Sequence, residues 1–408
     1  MTVTAADRLA AALAPLFPDG LPLRLHAWDG SEAGAANGPR LVLRTPDALR
    51  HLLWAPGELG LARAYVTGAL DVEGDLADGL SRMNALLRRR PPSRRAIAST
   101  VRRAIPALVS LGAVGGRPAV PEAEARVSGR LHSRKRDAGV IAHHYDLSNA
   151  LYRLLLDDNM AYSCAYWIGD GPDYTLADAQ RDKLDLICTK LELHPGARLL
   201  DVGCGWGSLS VHAGAQFGAE VTGITLSAEQ LDYATERVKT ADVTDLVNLH
   251  RLDYRDLPTA GFGEFDAVSA IEMGEHVGAA NYPRFLEILR GRLRPGGHLL
   301  IQQMSRRSRP GGGPFIERYI APDMHMRPLG ETVELIEAAG FEVRDVHCLR
   351  EHYVTTIRCW LETFEERYDE VVALLGEEQA RVWRLYLVGG ALAFEEGRMG
   401  VDQILAVR

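Results

Sequence analysis

The sequence predicts an α/β protein with a doubly wound, mostly parallel sheet, preceded by a small α+β region. Two observations carry this prediction. From about residue 137 onward, short apolar runs rich in Val, Leu and Ile alternate with helical segments rich in Ala, Glu, Leu and Arg. This alternation is typical of parallel strands that helices cover on both faces. A glycine-rich turn also follows the first of these runs, at the strand end where such sheets bind ligands.

The first 87 residues are predicted to form the small α+β domain. "LPLRLHAW" and "RLVLRT" read as strands, and "DALRHLLW" and "DLADGLSRMNALL" read as helices. "MTVTAADRLAAALAPLF" has no basic segment and carries Asp7, so it is interpreted as a first helix and not as a signal peptide. No catalytic motif is recognisable in this region.

A basic, Pro- and Gly-rich segment, residues 88–136, is predicted to link this domain to the rest. Together with Arg82 it holds 14 positive and 2 negative charges, a net of +12, whereas the whole chain has a net charge of −8. Such a block predicts an anionic partner surface. Pro106 is expected to break or kink any helix here. The segment is then either a solvated linker or an interfacial segment lying on anionic lipid; without a recognisable nucleic-acid module, nucleic acid is not an expected partner.

The cysteine content and hydropathy indicate a cytoplasmic protein, peripheral on the inner face of the membrane. The five cysteines are scattered and odd in number, which argues against a disulfide framework and fits a reducing compartment. No run of 18 uncharged apolar residues is present, so no membrane span is predicted. A metal site is not predicted, and the oligomeric state, including a homo-oligomer, is left open.

The third region, residues 137–408, carries the predicted catalytic sheet. Its strands are expected in "ARLLDVG", "AEVTGITL", "LVNLHRL", "FDAVSAIEM", "HLLIQQM", "FEVRDVHCL" and, after a long helical stretch at about 355–397, "QILAVR". The first strand runs into "LLDVGCGWGSLS", in which Asp201 precedes Gly203, Gly205 and Gly207. Glycines here permit a tight turn and a close approach to a ligand. The Lys-Ser/Thr pair of a phosphate-binding loop is absent, and a purely structural turn is the alternative.

This G-x-G-x-G form resembles the first motif of class I S-adenosylmethionine-dependent methyltransferases. Together with "HHYDLSNALY", "YSCAYW", "TGITLSAEQLDYA", "LDYRDL" and "EMGEHVGAANY", it resembles one family closely. That family is the cyclopropane fatty acid synthases and mycolic acid methyltransferases, including enzymes that make 10-methylene fatty acids. The resemblance covers about residues 137–408 and, more weakly, the N-terminal region. It implies a class I methyltransferase sheet with a helical lid insertion.

The resemblance also implies a binding site for S-adenosylmethionine. Tyr162 and Ser163 would contact its methionine part, while the glycine turn that follows Asp201 would pass beneath it. Further contacts would come from the ends of the next strands. The residues concerned are Gly203 and Gly205 in the turn, Thr225, Leu226 and Gln230 towards the ribose, and Asp253 and Tyr254 towards the adenine.

A second implied site binds a small anion, bicarbonate in the family, between Cys164, Glu275 and Tyr353. A buried apolar cysteine is the alternative for Cys164. Two departures from the family pattern are present: Gln302 stands where a His is common, and Glu272 lies three residues before Glu275. Two carboxylates this close are expected to share a proton or divide roles. Either bicarbonate, held by Glu275, or Glu272 itself is therefore the predicted base.

The implied reaction is methyl transfer to the cis double bond of an unsaturated phospholipid acyl chain. Transfer leaves a carbocation, which aromatic faces can stabilise; Tyr145, Tyr162, Tyr166 and Trp167 are the candidates. Loss of a proton from the methyl group gives a cyclopropane ring or, after a hydride shift, a methylene branch, which a separate reductase could saturate. A small-molecule N-, O- or S-methyltransferase is the alternative function.

Overall fold

The structure is a computed structural model. It describes residues 3–17, 19–89, 93–126, 129–134, 136–137, 139, 149–307 and 310–408. Arg90 and Lys135 of the basic segment and the aromatic candidate Tyr145 lie outside the described residues, as does most of the "HHYDLSNALY" motif. No helix among the described residues is both long enough and apolar enough to cross a membrane.

The chain divides into two compact units. The first comprises Met1–Glu124 with Leu375–Leu392, and the second comprises Ala125–Leu374 with Ala393–Arg408. The division falls within the segment predicted as a linker, at a different place from the boundaries expected at residues 87 and 136. Leu375–Leu392 belongs to the first unit because Arg381 is buried there: its guanidinium donates to the carbonyl oxygens of Tyr65, at 2.6 Å, and Leu70, at 3.1 Å.

The first unit contains a four-stranded sheet and helices, as the sequence predicts. The strands are β1 (Arg24–His26), β2 (Glu32–Gly34), β3 (Arg40–Leu43) and β4 (Leu70–Glu73), in the order β2-β1-β3-β4. β1 and β3 are parallel, and the other pairs are antiparallel. The helices before residue 124 are Ala5–Leu13, Asp47–Trp54, Glu58–Val66, Leu76–Arg89 and Arg94–Ser110.

The first helix begins where the sequence provides a capping box. The Thr4 hydroxyl accepts from the Asp7 backbone N–H at 3.3 Å, and Asp7 in turn accepts from Thr4. Such reciprocal bonds satisfy amide groups that have no partner within the helix. The helix then buries Ala5, Ala6 and Leu9 on one face, so Asp7 has a structural role in this helix.

The expected break at Pro106 is wrong, because helix Arg94–Ser110 continues through it; a kink there stays a prediction. Proline removes one backbone donor from a helix. The helix nevertheless extends beyond it, and the Leu111 N–H donates to the Ala107 carbonyl at 2.9 Å. The helix also contacts helix Ala5–Leu13. Tertiary contact therefore supports a helix whose local sequence predicts a break.

The second unit contains a seven-stranded sheet that confirms the predicted fold class. Its strand order is β10-β11-β9-β8-β5-β6-β7. All neighbouring strands are parallel except β11, which is antiparallel to both β9 and β10. The strands are β5 (Arg198–Val202), β6 (Glu220–Thr225), β7 (Val247–Arg251), β8 (Phe265–Ile271), β9 (Leu293–Arg306), β10 (Glu342–Cys348) and β11 (Met399–Val407).

Helices join the strands of this sheet. They span Asn149–Leu155, Leu176–Lys190, Ser208–Phe217, Ala228–Thr240, Tyr282–Arg290, Leu329–Ala338, Arg350–Glu366 and Tyr368–Leu375. The helical stretch predicted at about 355–397 is in fact three helices, the last of which is Glu377–Glu395. Most of that last helix belongs to the first unit.

Both faces of the seven-stranded sheet are buried, as the doubly wound prediction requires. Consecutive residues of β5 point to opposite faces: Leu200 joins a core that contains Phe285, whereas Leu199 joins another that contains Ile187. All four are essentially inaccessible to solvent. Burial of a side chain of this size contributes about 1.5–3 kcal/mol, so the sheet is anchored on both sides and its strand ends are held in fixed positions.

Candidate active site

The glycine turn after β5 forms one wall of a cavity at the carboxyl ends of the parallel strands. Gly203 and Gly205 both line the cavity and have left-handed backbones, with φ of +82° and +54°. A Cβ atom added to Gly203 would lie 2.9 Å from the Met273 side chain, whereas one added to Gly205 would meet no atom within 4 Å. The open space above Gly205 is therefore the kind of backbone cradle that a bound ligand fills.

Asp201, the acidic residue before the turn, lines the cavity and is held by two hydroxyl groups. Ser210 and Ser269 donate to its two carboxylate oxygens at 2.8 and 2.9 Å. Burial raises the pKa of Asp201, and these two hydrogen bonds and Lys183 oppose the rise. The side chain thus fixes the strand end from which the glycine turn departs.

The end of β6 supplies the next part of the wall. Thr225, Leu226 and Gln230 all line the cavity. The Thr225 hydroxyl donates to Gln230 Oε1 at 2.8 Å, and the Ser227 side chain caps the helix that begins at Ala228. The predicted ribose-side residues are therefore brought together, and the Gln230 amide group is oriented by Thr225.

Of the two residues after β7 that are predicted to contact the adenine, one lies in the lining of the cavity. Tyr254 lines the cavity, but Asp253 does not. The Asp253 carboxylate instead accepts from the Arg255 backbone N–H at 2.9 Å and from its guanidinium Nε at 2.8 Å. Asp253 is therefore turned towards Arg255, a partner that its position in the sequence does not reveal.

A buried lysine that the sequence analysis missed lies beside Ser163. Tyr162 and Ser163 line the cavity, and Lys183 Nζ donates to the Ser163 hydroxyl at 2.8 Å. Burial lowers the pKa of Lys183, against the opposing effect of the Glu272 carboxylate and other acidic groups. Gln180 fixes the same segment by donating to the carbonyl oxygens of Ala161 and Ser163.

Glu272 is a further carboxylate in the lining of the cavity, and three hydrogen-bond donors hold it. One oxygen, Oε1, accepts from the Cys164 backbone N–H at 2.8 Å and from Gln302 Nε2 at 3.0 Å. The other, Oε2, accepts from the Tyr353 hydroxyl at 2.8 Å. Among these four residues only Glu272 lines the cavity. Burial raises the pKa of Glu272, and its three hydrogen bonds oppose the rise.

The predicted grouping of Cys164, Glu275 and Tyr353 therefore needs a correction, because Glu272 takes the place of Glu275. Glu272 has a left-handed backbone, with φ of +49°, immediately after β8. Glu275 lies in the short 3₁₀ turn Gly274–His276, does not line the cavity, and accepts through Oε1 from the Met304 backbone N–H. Burial, followed by the charge of Glu272, raises the pKa of Glu275 to about 8.

Cys164 contributes its backbone and not its thiol to this arrangement. Its side chain is fully buried, and burial raises the pKa of the thiol well above its ordinary value. The Sγ atom donates to the carbonyl oxygen of Ala165 at 3.3 Å. The side chain is therefore the buried cysteine of the alternative interpretation, while the backbone N–H binds Glu272.

The predicted aromatic residues divide between the cavity and other places. Tyr162 lines the cavity, its ring 5.3 Å from that of Trp360. Tyr166 instead packs against His352, with ring centres 5.0 Å apart, and Trp167 Nε1 donates to the Thr356 hydroxyl at 3.1 Å. Trp206, which the sequence analysis did not select, also lines the cavity.

The sheet order, the glycine cradle at its carboxyl edge and the polar residues at the ends of β6 and β7 define a class I S-adenosylmethionine-dependent methyltransferase. The cradle above Gly205 and the polar side chains around it fit this methyl donor.

Comparison with known proteins identifies the family. Residues 132–404 match the family described as mycolic acid cyclopropane synthetase. The chain is 40% identical over 396 residues to a "Probable fatty acid methyltransferase" of Pseudomonas putida, covering 95% of this chain and 92% of that protein. It is 33% identical to tuberculostearic acid methyltransferase UfaA1 of Mycobacterium tuberculosis, covering 95% and 88%.

A solved structure agrees with this assignment. Mycolic acid cyclopropane synthase CmaA1, complexed with SAH and CTAB, superposes with a TM-score of 0.61 at 29% identity, covering 66% of this chain and 98% of that one. The chain therefore belongs to the mycolic acid cyclopropane synthetase family, whose enzymes methylate lipid acyl chains with S-adenosylmethionine.

Proposed function

We propose that this enzyme transfers a methyl group from S-adenosylmethionine to the cis double bond of an unsaturated acyl chain carried by a phospholipid. The observation that carries the proposal is one cavity with two different walls. A glycine cradle suited to the methyl donor forms one wall, and a hydrogen-bonded carboxylate, Glu272, forms part of the other. Apolar residues line the same cavity, including Ile271, Met273 and Val277.

The chemistry explains why both walls are needed. The sulfonium methyl group of the donor is electrophilic enough to react with an alkene. Tyr162 and Trp206 line the cavity, and the faces of aromatic rings favour a neighbouring cation. Apolar residues exclude water, which would otherwise convert the carbocation to an alcohol. A base must then remove a proton from the new methyl group; bicarbonate and a carboxylate of the chain both satisfy this proposal.

We favour a methylene-branched product, which a separate reductase would saturate to a methyl branch, over a cyclopropane ring. Two relatives matched along 95% of this chain carry the names fatty acid methyltransferase and tuberculostearic acid methyltransferase. A hydride shift before loss of the proton is the only step that separates the two products. How the cavity holds the chain while the cation persists would decide between them.

The test is product analysis. The purified protein is incubated with S-adenosylmethionine and vesicles of a dioleoyl phospholipid, and the acyl chains are analysed by mass spectrometry and proton NMR. A mass gain of one CH₂ is expected, with exocyclic methylene protons for the favoured product and high-field ring protons for a cyclopropane. A matched incubation with a saturated phospholipid should give neither. Methylation of the lipid head group would contradict the proposal.

We also propose that helix Arg94–Ser110 binds an anionic membrane surface, from which the enzyme takes the acyl chain. Three of its apolar side chains, Ile97, Ile105 and Val109, are 47%, 57% and 62% exposed. Arg95, Arg102 and Arg103 on the same helix are exposed as well. Exposed apolar groups among arginines are the composition of a helix that lies in the interface of anionic lipid.

Not all of the basic segment is available for such a surface. Arg134 forms a two-bond ion pair with Asp256, and Arg136 forms one with Asp323. These arginines neutralise acidic partners within the second unit. The side chains of Arg88, Arg89 and Arg94 lie outside the described residues, so the proposal depends on the three described arginines of the helix.

A further inference from the structure

We propose that the Glu272 carboxylate occupies the anion pocket of this active site and itself takes the proton from the transferred methyl group, so that the reaction needs no bound bicarbonate. This inference rests on the proposed methyl transfer to a double bond. It concerns the step that follows the transfer, and its tests below separate the two.

The first argument is that the donors of the pocket already have an acceptor. The Cys164 backbone N–H and Gln302 Nε2 converge on one carboxylate oxygen of Glu272, at 2.8 and 3.0 Å, and the Tyr353 hydroxyl binds the other at 2.8 Å. A planar group with two oxygens and three donors around it is what a bound carbonate-type anion would require. Here a side chain of the protein supplies that group.

Electrostatic repulsion opposes the binding of a second anion beside Glu272. A bicarbonate ion bound to the same donors would have to displace the Glu272 carboxylate or lie against it. Two negative charges in direct contact within a partly buried site repel each other strongly. Among the described residues, the lysine and arginine that line this cavity are Lys183, whose Nζ is bonded to the Ser163 hydroxyl, and Arg255, which is paired with Asp137 and Asp253. A second anion would therefore lack a matching charge.

The third argument is that the chain adopts an unfavourable backbone conformation to place this side chain. Glu272 has φ of +49°, in the left-handed region that non-glycine residues rarely adopt. The Glu272 N–H donates to the Gln302 carbonyl at 2.6 Å, which holds the conformation. A glycine would satisfy this backbone without strain. A glutamate at such a position indicates that its carboxylate is needed.

The side-chain amide of Gln302 has a fixed orientation. Its amide oxygen accepts from Gln403 Nε2 at 3.0 Å, so its NH₂ group points to Glu272 Oε1. A glutamine held this way donates a hydrogen bond but cannot give up or relay a proton. The proton taken from the substrate therefore stays on Glu272 until the product leaves.

Glu275 supports this division of roles. It lies outside the cavity lining, and burial, followed by the negative charge of Glu272, raises its pKa to about 8. The pKa of Glu272 is itself raised by burial, which makes its carboxylate a stronger base than an exposed glutamate.

The reaction consists of methyl transfer followed by proton removal. The alkene π pair forms the bond to the methyl carbon while the S–CH₃ pair leaves with sulfur, giving S-adenosylhomocysteine and a carbocation on the acyl chain. The Glu272 carboxylate then takes a proton from the new methyl group, and the C–H pair closes the ring or, after a hydride shift, forms the methylene double bond. Glu272 is left neutral and returns its proton to water after product release.

The kinetic test uses the full-length protein, dioleoyl phospholipid vesicles and buffer freed of carbonate. The wild type is expected to form S-adenosylhomocysteine and methylated lipid at the same rate with and without added bicarbonate. Glu272→Gln should lower turnover by ~10²–10⁴-fold, the range for loss of a general base. A wild-type rate that depends on bicarbonate, or a folded Glu272→Gln enzyme with nearly full activity, would overturn the inference. Absence of lipid product under both conditions would instead contradict the proposed function.

The binding test needs no turnover. Glu272→Gly opens the pocket and suits the left-handed backbone, so bicarbonate and formate should bind to this variant, as measured by calorimetry, and not to the wild type. The same anions should partly restore lipid methylation by Glu272→Gly. Circular dichroism and binding of S-adenosylmethionine serve as folding controls. Equal binding of bicarbonate to wild type and variant would show that the pocket is not filled by Glu272, whatever the lipid product.

Discussion

The two walls of the cavity are built in different ways. The donor wall, Gly203 to Gly205 with Thr225 and Leu226, consists largely of backbone at the ends of two adjacent strands. The carboxylate wall is Glu272 with its three hydrogen-bond donors, which lie 108, 30 and 81 residues away from it along the chain. A backbone wall is sensitive to any added side chain, whereas a wall of converging side chains is sensitive to the loss of one group.

The largest effect is expected at the donor wall. Gly205→Val places a branched side chain in the open space of the cradle and forces a β-branched residue to adopt φ of +54°. We expect loss of measurable S-adenosylmethionine binding by calorimetry, with the circular dichroism spectrum retained. Gly196→Val is the matched control, since Gly196 is also left-handed, at φ +82°, but lies outside the cavity lining. Unchanged S-adenosylmethionine binding in a folded Gly205→Val protein would show that the methyl donor does not bind above Gly205.

The next largest effect is expected when one donor is removed from the carboxylate wall. Tyr353→Phe deletes the hydroxyl that binds Glu272 Oε2 and keeps the ring that packs against Phe394. A hydrogen bond to a charged group contributes about 1.5–3 kcal/mol, so turnover should fall roughly 10- to 100-fold while S-adenosylmethionine affinity stays the same.

Cys164→Ala sharpens the same test. Its contribution to Glu272 comes from the backbone N–H, which the substitution keeps, so its effect on turnover should be much smaller than that of Tyr353→Phe. Loss of S-adenosylmethionine affinity in Tyr353→Phe would contradict the division of the cavity into two walls.

A smaller effect concerns the second carboxylate. The folded state holds a proton on Glu275 up to a pKa of about 8, against an ordinary value of 4.5. Between these values the folded state binds more protons than the unfolded state, so this group makes the free energy of unfolding fall as the pH rises. Glu275→Gln should weaken this dependence and, at about pH 9, increase stability by up to a few kcal/mol.

Urea unfolding at about pH 6 and about pH 9 measures this difference. Glu331→Gln is the control, because Glu331 is a half-exposed glutamate of the same unit that pairs with Arg327. If wild type and Glu275→Gln show the same pH dependence, Glu275 is not the protonated member of the pair.

The smallest effect is expected at the proposed membrane helix, far along the chain from both walls. Each arginine near an anionic surface contributes about 1 kcal/mol, less at higher salt. Replacing Arg95, Arg102 and Arg103 with Gln should weaken sedimentation with phosphatidylglycerol vesicles, most at low salt, and leave S-adenosylmethionine binding unchanged. The control replaces Arg284, Arg344 and Arg358, whose side chains are 65%, 56% and 55% exposed. An equal loss of vesicle sedimentation in both variants would contradict the proposal that this helix binds the membrane.

The donor wall could be predicted from the sequence because its residues are close along the chain. Asp201, Gly203 and Gly205 fall within five residues, and Thr225 and Leu226 lie at the end of the next predicted strand. In a parallel sheet those strand ends meet at one edge. Lys183 was missed, although a signal was present: it lies in the buried stripe of its helix among Ala179, Leu184 and Ile187. A lysine in such a stripe needs a polar partner, but the stripe does not identify Ser163.

By itself, the sequence determined the fold class, because apolar periodicity acts locally, while the methyl donor was implied by the resemblance of its glycine turn and neighbouring motifs to a known family. Only the tertiary structure decided which glutamate lines the cavity. A backbone rotation at Glu272 and the short turn around Glu275 send two carboxylates three residues apart into different surroundings. The hydrogen-bond donors to the two carboxylates come from segments that contact each other only in the folded chain. No local sequence pattern therefore identifies them.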